Sequence, residues 1–268
     1  MNNEKWNKLI AGLQELGRVA VAFSAGVDST FLLKAAHEAL GQDVIAITGR
    51  SVSFPEREDR EAAAFCRALG VEQVIVEVDQ MAIPGFRDNP PDRCYLCKKV
   101  LFSAFVAAAQ ERGFACVAEG SNADDVHDYR PGLRAIAELG IKSPLKDVGL
   151  TKQEIRGLSR ELGLPTWDKP SMACLATRFP YGERITKEKL SAVDAAEQYL
   201  RGAGFRQVRV RVHGDIARIE IDRTQFAQLL EAADTIEAEL HALGFLYVTL
   251  DLGGYRMGSM NRTLTEKG

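Results

Sequence analysis

The stretch VAVAFSAGVDST, residues 19–30, decides the fold of this chain. It begins as an apolar strand, turns at three small residues, Ser24, Ala25 and Gly26, and enters a helix near Asp28. Small side chains let an anion approach the backbone, and the start of a helix directs unpaired N–H groups and a positive dipole end toward that anion. The stretch therefore predicts a binding site for phosphate.

The predicted turn differs from the common nucleoside-triphosphate loop, because GxxxxGK[ST] has a lysine at the helix start and this turn has none. Its order Ser-x-Gly-x-Asp-Ser resembles the pyrophosphate loop (PP-loop) of ATP pyrophosphatases, which cleave ATP between its α and β phosphates to adenylate a substrate. Those enzymes usually have Ser-Gly-Gly-x-Asp-Ser, and Ala25 replaces one glycine, which matters if the backbone there needs an angle that favours glycine. The competing interpretation is an unspecialised strand-turn-helix.

The composition is that of a globular protein without a nucleic-acid or membrane signature. The chain has 268 residues, 46% hydrophobic and 26% charged, which is enough for a large domain and a smaller one. A net charge of -3 does not favour nucleic-acid binding. No apolar run approaches the roughly 18 residues of a membrane span, and the N-terminus lacks the apolar centre of a signal peptide. We therefore expect a cytoplasmic protein without a membrane or nucleic-acid partner.

Helical and strand periodicities alternate along the first half of the chain. Helices are predicted over 3–16, 29–40, 55–69 and 101–112, and strands over 19–23, 43–48, 73–78 and 115–119. This alternation implies an α/β fold with a doubly wound, mostly parallel sheet. Ligands bind such a sheet beyond the carboxyl ends of its strands, where Asp124 and Asp125 follow the fourth strand. These carboxylates suit Mg²⁺, although a turn rich in Asn and Asp is the simpler explanation.

The pattern changes in the second half of the chain. Residues 151–154, TKQE, form a capping box that begins a structural helix, and residues 165–184 have no periodicity. Beyond this loop the sequence predicts helices over 186–200 and 224–243 and strands over 207–213, 217–221 and 246–250. We therefore predict a PP-loop domain over 1–165, an active-site loop over 166–185 that contains Cys174, and a smaller α+β domain over 186–268.

Charged residues alternate with apolar ones on two predicted strands of the smaller domain. Arg209 and Arg211 share one face of their strand, and Arg218 and Glu220 share one face of the next. A solvated face with cross-strand ion pairs and a binding site for an anion both explain this pattern.

The cysteines suggest chemistry rather than disulfides, because an odd number, five, suits a reducing compartment. Cys94 and Cys97 lie near a helix start beside basic residues that favour the thiolate. A redox dithiol, a structural zinc site and an iron–sulfur cluster held by three cysteines are the alternatives. Cys174 in the long loop favours the cluster, whereas Cys66 and Cys116 have apolar neighbours and are expected to pack in the core.

Four segments in this order are similar to the LarE family, the ATP-dependent sulfur transferases of nickel-pincer cofactor biosynthesis. They are SAGVDS (24–29), RCYLCK (93–98), EGSNADD (119–125) and ACLATRFPYG (173–182). The resemblance covers nearly the whole chain, and it implies a PP-loop fold of the HUP-like class. It also implies an enzyme that adenylates the carboxylates of pyridinium-3,5-biscarboxylic acid mononucleotide, releases pyrophosphate and forms thiocarboxylates.

The resemblance further implies the roles of individual residues. In one branch of the family a single cysteine matching Cys174 gives up its own sulfur; the presence of Cys94 and Cys97 places this chain in the branch whose three cysteines hold a [4Fe-4S] cluster that carries a sulfide. The residues implied for ATP phosphates are Ser24, Gly26, Asp28 and Ser29, with Asp125 acting through Mg²⁺. The residues implied for the substrate phosphate are Arg209 and Arg211, with Glu220 orienting the site and Tyr95 and Thr177 as weaker candidates. The resemblance also implies a homo-oligomer. It does not identify the compound that supplies the sulfide.

Three other functions remain open from the sequence. A tRNA thiolation enzyme shares the loop and, in some families, the cysteine trio, but it needs a basic surface or an added RNA-binding domain. A synthetase such as NAD or GMP synthetase shares the loop and needs no cysteine trio. In a non-catalytic iron–sulfur or redox sensor, the turn at residues 24–26, called the phosphate turn below, would have no role in binding phosphate.

Overall fold

The computed structural model describes residues 4–127, 131–170, 173–256 and 259, and it divides the chain into two compact units. The first unit comprises Met1–Asp79 and Cys94–Met172, and the second comprises Gln80–Arg93 and Ala173–Gly268. The sequence pattern did not indicate that a segment from the first half of the chain belongs to the second unit. The predicted functional regions 1–165, 166–185 and 186–268 stay a prediction.

The first unit is built on a four-stranded parallel sheet, which confirms the predicted α/β fold. Its strands are β1 (Val19–Ala22), β2 (Val44–Arg50), β3 (Glu72–Glu77) and β4 (Cys116–Ala118). Its helices are α1 (Glu4–Leu16), α2 (Val27–Leu40), α3 (Glu56–Leu69), α4 (Arg93–Gln110), α5 (Gly132–Glu138), α6 (Pro144–Asp147) and α7 (Lys152–Glu161). The largest difference from prediction is that α4 begins at Arg93 rather than near Leu101; α2 begins two residues before Ser29, and the other predicted ends in this unit shift by at most two residues.

The strand order β3-β2-β1-β4 locates the ligand-binding edge of this sheet. The chain moves outward from β1 to β3 and then returns to place β4 on the other side of β1. In open parallel sheets the crevice at such a reversal, beyond the carboxyl ends of the strands, is the usual ligand site. The phosphate turn follows β1 at this point, and the polar segment 119–125 follows β4.

Both faces of the sheet are covered by apolar side chains, as a parallel sheet requires. Val19 and Val21 of β1 belong to one buried cluster, which includes Phe31 of α2, and Ala20 belongs to a second cluster with Phe105 of α4. Successive residues of a strand point to opposite faces, so the continuous apolar run in β1 supplies both clusters.

The second unit contains a small three-stranded sheet and confirms the predicted α+β pattern. Its elements are α8 (Lys187–Gly202), β5 (Val208–His213), β6 (Ile216–Ile221), α9 (Phe226–Glu231), α10 (Ala233–Ala242) and β7 (Tyr247–Leu250). β6 pairs antiparallel with β5 and parallel with β7. The single helix predicted over 224–243 is wrong: the backbone at Ala232 leaves the helical range, with φ -99° and ψ 12°, and separates α9 from α10. Alanine favours helices, so no local signal in the sequence indicates this break.

The segment Gln80–Arg93 is tied into the second unit by hydrogen bonds to the loop before α8. Asn89, which is buried with φ 52°, donates from Nδ2 to the carbonyl oxygens of Phe179 at 3.2 Å and Pro180 at 2.6 Å. The N–H groups of Gly182 and Ile185 donate in turn to carbonyls of this segment. No helix in the described part of the chain is long and apolar enough to cross a membrane.

Candidate functional site

The phosphate turn is held by its serines and leaves the start of α2 uncapped. Ser24 N donates to Ser29 Oγ at 3.3 Å, the two hydroxyl oxygens lie 3.2 Å apart, and Ser29 Oγ donates to the carbonyl of Gly26 at 3.3 Å. Gly26 is the N-cap residue, and no side chain caps the helix there. The first-turn N–H groups of a 14-residue helix therefore face the turn without a side-chain acceptor, which suits an anion.

Ala25 adopts the left-handed backbone conformation, with φ 52°, where the related loops have glycine. This conformation costs an L residue about 1–2 kcal/mol, so the substitution is tolerated with strain. The carbonyl oxygen of Ala25 accepts a hydrogen bond of 2.9 Å from Lys169 Nζ, which also pairs with Glu61 at 2.5 Å. Lys169 therefore holds the strained peptide in place.

Gly120, just beyond β4, lies against the start of α2. A Cβ atom added to Gly120 would lie 3.1 Å from Ser29 N and 3.2 Å from the carbonyl carbon of Asp28. These distances are shorter than ordinary contacts, so an added side chain would force the two backbones apart by a few tenths of an ångström. Gly120 belongs to one of the motifs noted in the sequence, but this role was not predicted.

The segment that follows Gly120 is organised by its own polar groups. Asp125 Oδ2 accepts a hydrogen bond of 3.0 Å from Asn122 N, and Asn122 Oδ1 accepts one of 2.9 Å from Asp124 N. Glu119 is buried and accepts from the hydroxyls of Ser121 and Ser143 at 2.8 and 2.6 Å. The predicted turn rich in Asn and Asp is present, and it carries two carboxylates at the ligand-binding edge of the sheet.

Asp28 is paired with a lysine that lies 124 positions away in the sequence. Lys152 Nζ contacts Asp28 Oδ2 at 2.5 Å, and the backbone N–H of Lys152 donates to Asp124 Oδ2 at 2.8 Å. Burial raises the pKa of Asp28 and the charge of Asp125 adds to the rise, although Lys152 opposes it. The predicted capping box of α7 is confirmed. The stretch was expected to be structural, however, and the ion pair was not predicted.

Cys94 and Cys97 lie in the first turn of α4, three positions apart and therefore on one side of the helix. Both side chains are half-buried, and none of the five cysteines forms a disulfide. Tyr95 donates from its hydroxyl to Glu138 at 2.9 Å, and the Arg134 guanidinium lies 3.6 Å from the centre of its ring. The weaker assignment of Tyr95 to a substrate pocket stays a prediction. In this structure the hydroxyl and the ring of Tyr95 are both engaged in these contacts.

Cys174 precedes a single 3₁₀ turn, Leu175–Arg178, and its carbonyl is fixed by several donors. Thr177 donates to it from N at 2.9 Å and from Oγ1 at 2.8 Å, and Arg178 Nη1 donates to it at 3.2 Å and to the Ala173 carbonyl at 2.6 Å. The thiol therefore lies on a segment with a defined backbone.

Arg178 is completely buried and paired with Glu197 of α8, a contact that was not predicted. The two side chains form two hydrogen bonds, of 2.8 and 2.9 Å, and Glu197 also accepts from Arg201 at 2.6 Å and from Val210 N at 3.0 Å. Burial alone would raise the pKa of Glu197, but Arg178 outweighs it and lowers the pKa to about 2. The only feature of the sequence that pointed to this ion pair was the presence of Arg178 in the motif around Cys174.

The predicted charged strand face is buried, so the solvation expected in one interpretation is wrong, whereas the cross-strand ion pair expected in it is confirmed between Arg211 and Glu220. Arg209, Arg211 and Glu220 are 3%, 5% and 0% exposed. Glu220 Oε2 accepts from Arg211 Nε at 3.0 Å and Nη2 at 2.9 Å, and Glu220 Oε1 accepts from Arg218 at 3.2 Å and from Ser259 at 2.9 Å. Burial lowers the pKa of Arg209 to about 10. Arg211 and Arg218 pair with Glu220, Arg218 also pairs with Asp251 at 3.3 Å, and Arg209 lies opposite Glu220 in the register of β5 and β6. The buried guanidinium groups of Arg209 and Arg211 suit an anion.

The remaining cysteines are placed as expected. Cys66 is buried among apolar residues, and Cys116 is half-buried against the same cluster. Burial raises the pKa of the Cys66 thiol to about 11 and also raises that of Cys116. Neither thiol therefore forms a thiolate readily at neutral pH. Within residues 4–127, 131–170, 173–256 and 259, no three His, Cys, Asp or Glu side chains are grouped to hold a metal ion.

Comparison with known proteins gives relatives that match almost the whole chain. An uncharacterized protein of Synechocystis sp. is 45% identical, with 94% of this chain and 95% of the relative covered. Pyridinium-3,5-bisthiocarboxylic acid mononucleotide synthase of Lactiplantibacillus plantarum is 42% identical, with 96% of this chain and 94% of the relative covered. A glutamine-hydrolyzing GMP synthase of Dehalococcoides mccartyi is 30% identical over 68% of this chain and 38% of its own length. No family model matches the chain.

These relatives separate the superfamily from the family. The GMP synthase matches about two thirds of the chain, as expected for PP-loop proteins that share a nucleotide-binding fold and differ elsewhere. The two more similar relatives extend through both units. On its 42% identity with the synthase over nearly its full length, the chain belongs to the LarE family of the PP-loop superfamily.

Proposed function

We propose that the protein is an ATP-dependent sulfur transferase that converts the carboxylates of pyridinium-3,5-biscarboxylic acid mononucleotide to thiocarboxylates. The observation that carries this proposal is the 42% identity, across 96% of the chain, with a relative named as the synthase of the bisthiocarboxylic acid product. The phosphate turn and the buried arginines of the second unit support it, since the reaction needs sites for a triphosphate and for a mononucleotide.

The proposed reaction has two steps for each carboxylate. A substrate carboxylate oxygen attacks the α-phosphorus of ATP, and the bond to the β-phosphate oxygen breaks to release pyrophosphate. A sulfur nucleophile then attacks the activated carbonyl carbon, and AMP leaves with the carboxyl oxygen that joined it to the substrate. Adenylation is required because a free carboxylate oxygen is a poor leaving group, whereas AMP is a good one.

The turn at the start of α2 is the proposed site for the ATP phosphates. Ser24, Gly26 and Ser29 supply the uncapped helix start and the small side chains that let phosphate oxygens approach, and Asp28 completes the set of residues that the family resemblance implies for the phosphates. Asp125 follows β4 at the same edge of the sheet and fits a role in holding Mg²⁺, because carboxylate and phosphate oxygens are the ligands this ion prefers. Mg²⁺ would neutralise the charge on the leaving pyrophosphate.

Cys94, Cys97 and Cys174 are the proposed ligands of a [4Fe-4S] cluster. Thiolates are the usual ligands of iron–sulfur clusters, and Cys94 and Cys97 lie three positions apart on α4, but the described residues do not group the three cysteines as a metal site. Arg93, the residue before Cys94, supports the proposal, because its Nη1 donates at 3.0 Å to the carbonyl of Ala176, two positions beyond Cys174. When bound, the cluster would supply a sulfide at its fourth iron.

Arg209 and Arg211 are proposed to bind the phosphate of the mononucleotide, with Glu220 holding Arg211 in place. The guanidinium group matches phosphate oxygens with two parallel donors, and burial strengthens the charge interaction. Glu220 fixes the Nε side of Arg211, while Arg211 Nη1 donates to the Thr177 carbonyl at 3.0 Å. Thr177 thereby connects the arginine with the segment that holds Cys174.

A single anaerobic incubation tests the activity and the sulfur source together. Purified protein is mixed with ATP and the biscarboxylated mononucleotide, and both product and protein are analysed by mass spectrometry. We expect thiocarboxylate, AMP and pyrophosphate, with the protein mass unchanged and brown protein that contains iron and acid-labile sulfide. A colourless protein that loses one sulfur at Cys174 would contradict the cluster and indicate that Cys174 gives up its own sulfur. Absence of thiocarboxylate would contradict the proposed activity.

Variants of the two half-sites separate the steps. Asp28→Asn and Ser29→Ala should abolish substrate-dependent release of pyrophosphate, whereas Cys94→Ala, Cys97→Ala and Cys174→Ala should remove the colour and the thiocarboxylate product. Cys66→Ala is the matched control, since this thiol is buried away from solvent and has a raised pKa. Tight tRNA binding at physiological salt would favour the tRNA thiolation enzyme instead.

We also propose that the protein is a homo-oligomer in the cytoplasm. Large apolar side chains on or beside strand β7 are exposed, among them Leu246 at 64%, Tyr247 at 65% and Leu252 at 76%. Exposed apolar patches of this kind are typical of protein interfaces. Light scattering on a gel-filtered sample measures the mass, and a monomer at micromolar concentration would contradict the oligomer. Five cysteines without a disulfide support a reducing compartment.

A further inference from the structure

Two lysines from later parts of the chain lie at the phosphate turn of the resting enzyme. Lys169 Nζ donates to the Ala25 carbonyl and pairs with Glu61, whereas Lys152 pairs with Asp28 at the start of α2. The turn contains no lysine, and the positive group that pairs with Asp28 is Lys152 Nζ, 2.5 Å from Oδ2. The side chains of Lys152 and Asp28 are 30% and 22% exposed, so the pair borders solvent and is accessible to a ligand. This placement distinguishes the pair from the buried ion pairs of the second unit.

We propose that Lys152 is a phosphate-binding residue that pairs with Asp28 in the resting enzyme and transfers to a phosphate oxygen when ATP binds. The inference rests on the proposed use of ATP. A triphosphate at the start of α2 would meet the Asp28 carboxylate as a like charge, and Lys152, the ion-pair partner of Asp28, would offset this repulsion. A lysine ammonium is a compact charge on a flexible stem, so it can change partners without movement of the backbone.

The backbone of Lys152 is anchored independently of its side chain. Its N–H donates to Asp124 Oδ2, and it is the first residue of α7, whose capping box joins Thr151 and Glu154. Asp124 belongs to the segment that follows β4, so this bond fixes the start of α7 at the edge of the sheet where the phosphates are proposed to bind. Only the side chain of Lys152 needs to move.

A purely structural role for the pair is a poorer explanation. α2 and α7 already share one apolar cluster, in which Phe31, Ile155 and Leu158 are buried. A surface ion pair adds little to such packing. Moreover, Asp28 Oδ1 is buried, and its neighbour Asn122 makes no hydrogen bond of normal geometry to it in the described part of the chain.

The test compares two ligands in three variants. Dissociation constants are measured by calorimetry for adenosine and for α,β-methylene-ATP, which cannot be cleaved between the α and β phosphates. Lys152→Met should weaken binding of the ATP analogue roughly 10- to 100-fold, the loss typical of one charged hydrogen bond, and leave adenosine binding unchanged. Lys152→Arg retains a cation and should recover most of the affinity.

Lys5→Met is the matched control. Lys5 forms an ion pair of similar length, 2.7 Å, with Glu154 at the start of the same helix and has a similar exposed fraction, 38%. Its loss should change neither constant. If Lys152→Met lowers the melting temperature, Lys152→Gln replaces it. Equal weakening of both ligands, or no weakening of either, in the Lys152 variants would overturn the inference.

The inference and the proposed function fail in different ways. If the wild-type protein shows the Lys152-dependent preference for the ATP analogue but forms no thiocarboxylate, the inference stands and the sulfur-transfer proposal fails. If thiocarboxylate forms and Lys152→Met leaves the affinity for the ATP analogue unchanged, the inference alone fails. A wild-type protein that does not bind the analogue contradicts both.

Discussion

The buried pair of Arg178 and Glu197 gives the sharpest test of how the second unit is held together. In Glu197→Gln the side chain keeps its size but loses the charge that faces Arg178. It also turns an NH₂ group or a weaker acceptor toward a guanidinium that is completely buried. Removing one partner of a buried ion pair leaves an uncompensated charge, which costs about 3–5 kcal/mol in proteins.

The structure yields a similar magnitude by a second route. The pKa of Glu197 falls from 4.5 to about 2 on folding, and each unit of pKa corresponds to about 1.4 kcal/mol, so the charged form stabilises the fold by about 3 kcal/mol at pH 7. The pKa is lowered in the folded state. The stabilisation is therefore complete above about pH 4.5 and is lost as the pH falls toward about 2.

Urea unfolding measures both the loss and its pH dependence. At pH 7 we expect Glu197→Gln to lower the free energy of unfolding by about 3 kcal/mol. Between pH 4.5 and 3.5, the difference in free energy of unfolding between wild type and variant should decrease by about 1 kcal/mol. Trp6 and Trp167 both lie in the first unit, so fluorescence reports that unit and circular dichroism reports both. A transition seen only by circular dichroism belongs to the second unit.

The control variant removes a carboxylate that is exposed rather than buried. Glu237→Gln removes an exposed carboxylate 3.8 Å from His241 and should leave the unfolding curve unchanged. A loss below about 1 kcal/mol in Glu197→Gln at pH 7, or a gap to wild type that does not change between pH 4.5 and 3.5, would refute the reasoning.

Three further substitutions test other parts of the structure. Gly120→Val should destabilise the protein by about 1–3 kcal/mol in thermal unfolding, because the added side chain meets the backbone at the start of α2, whereas Gly12→Ala, in an open helical position, should be neutral or stabilising. Thr151→Ala should cost about 1 kcal/mol through loss of the α7 cap, measured by urea unfolding; an unchanged midpoint would contradict it. Arg211→Lys keeps the charge but loses the planar fork, so it should raise KM for the mononucleotide in a pyrophosphate-release assay; an unchanged KM would exclude a phosphate contact.

Local patterns were sufficient to predict the elements that form the site. The apolar run of β1, the small residues after it and the helix beyond them are adjacent in sequence, and their geometry follows from neighbouring residues alone. The capping box at Thr151 was predicted for the same reason. The family resemblance then gave the chemistry, which periodicity alone could not.

The missed features are contacts between distant positions. Lys152 meets Asp28, and Arg178 meets Glu197, only after helices and strands have packed, so no local pattern indicates either pair. The strain at Ala25 is an intermediate case: the departure from the glycine pattern was visible in the sequence, but the left-handed φ of 52° required the structure.

The discontinuous second unit has a consequence for how the protein is made. Arg87 and Asn89 emerge from the ribosome about 90 to 100 positions before their loop partners in the second unit. At about 5–20 residues per second, this segment waits on the order of 5–20 s for them, while the first unit is still being synthesised. A nascent chain stalled near residue 170 should therefore have a protease-sensitive stretch at 80–93. A fragment that starts at 173 lacks this segment of the second unit. The second unit can be completed only after the loop partners of 80–93 have left the ribosome.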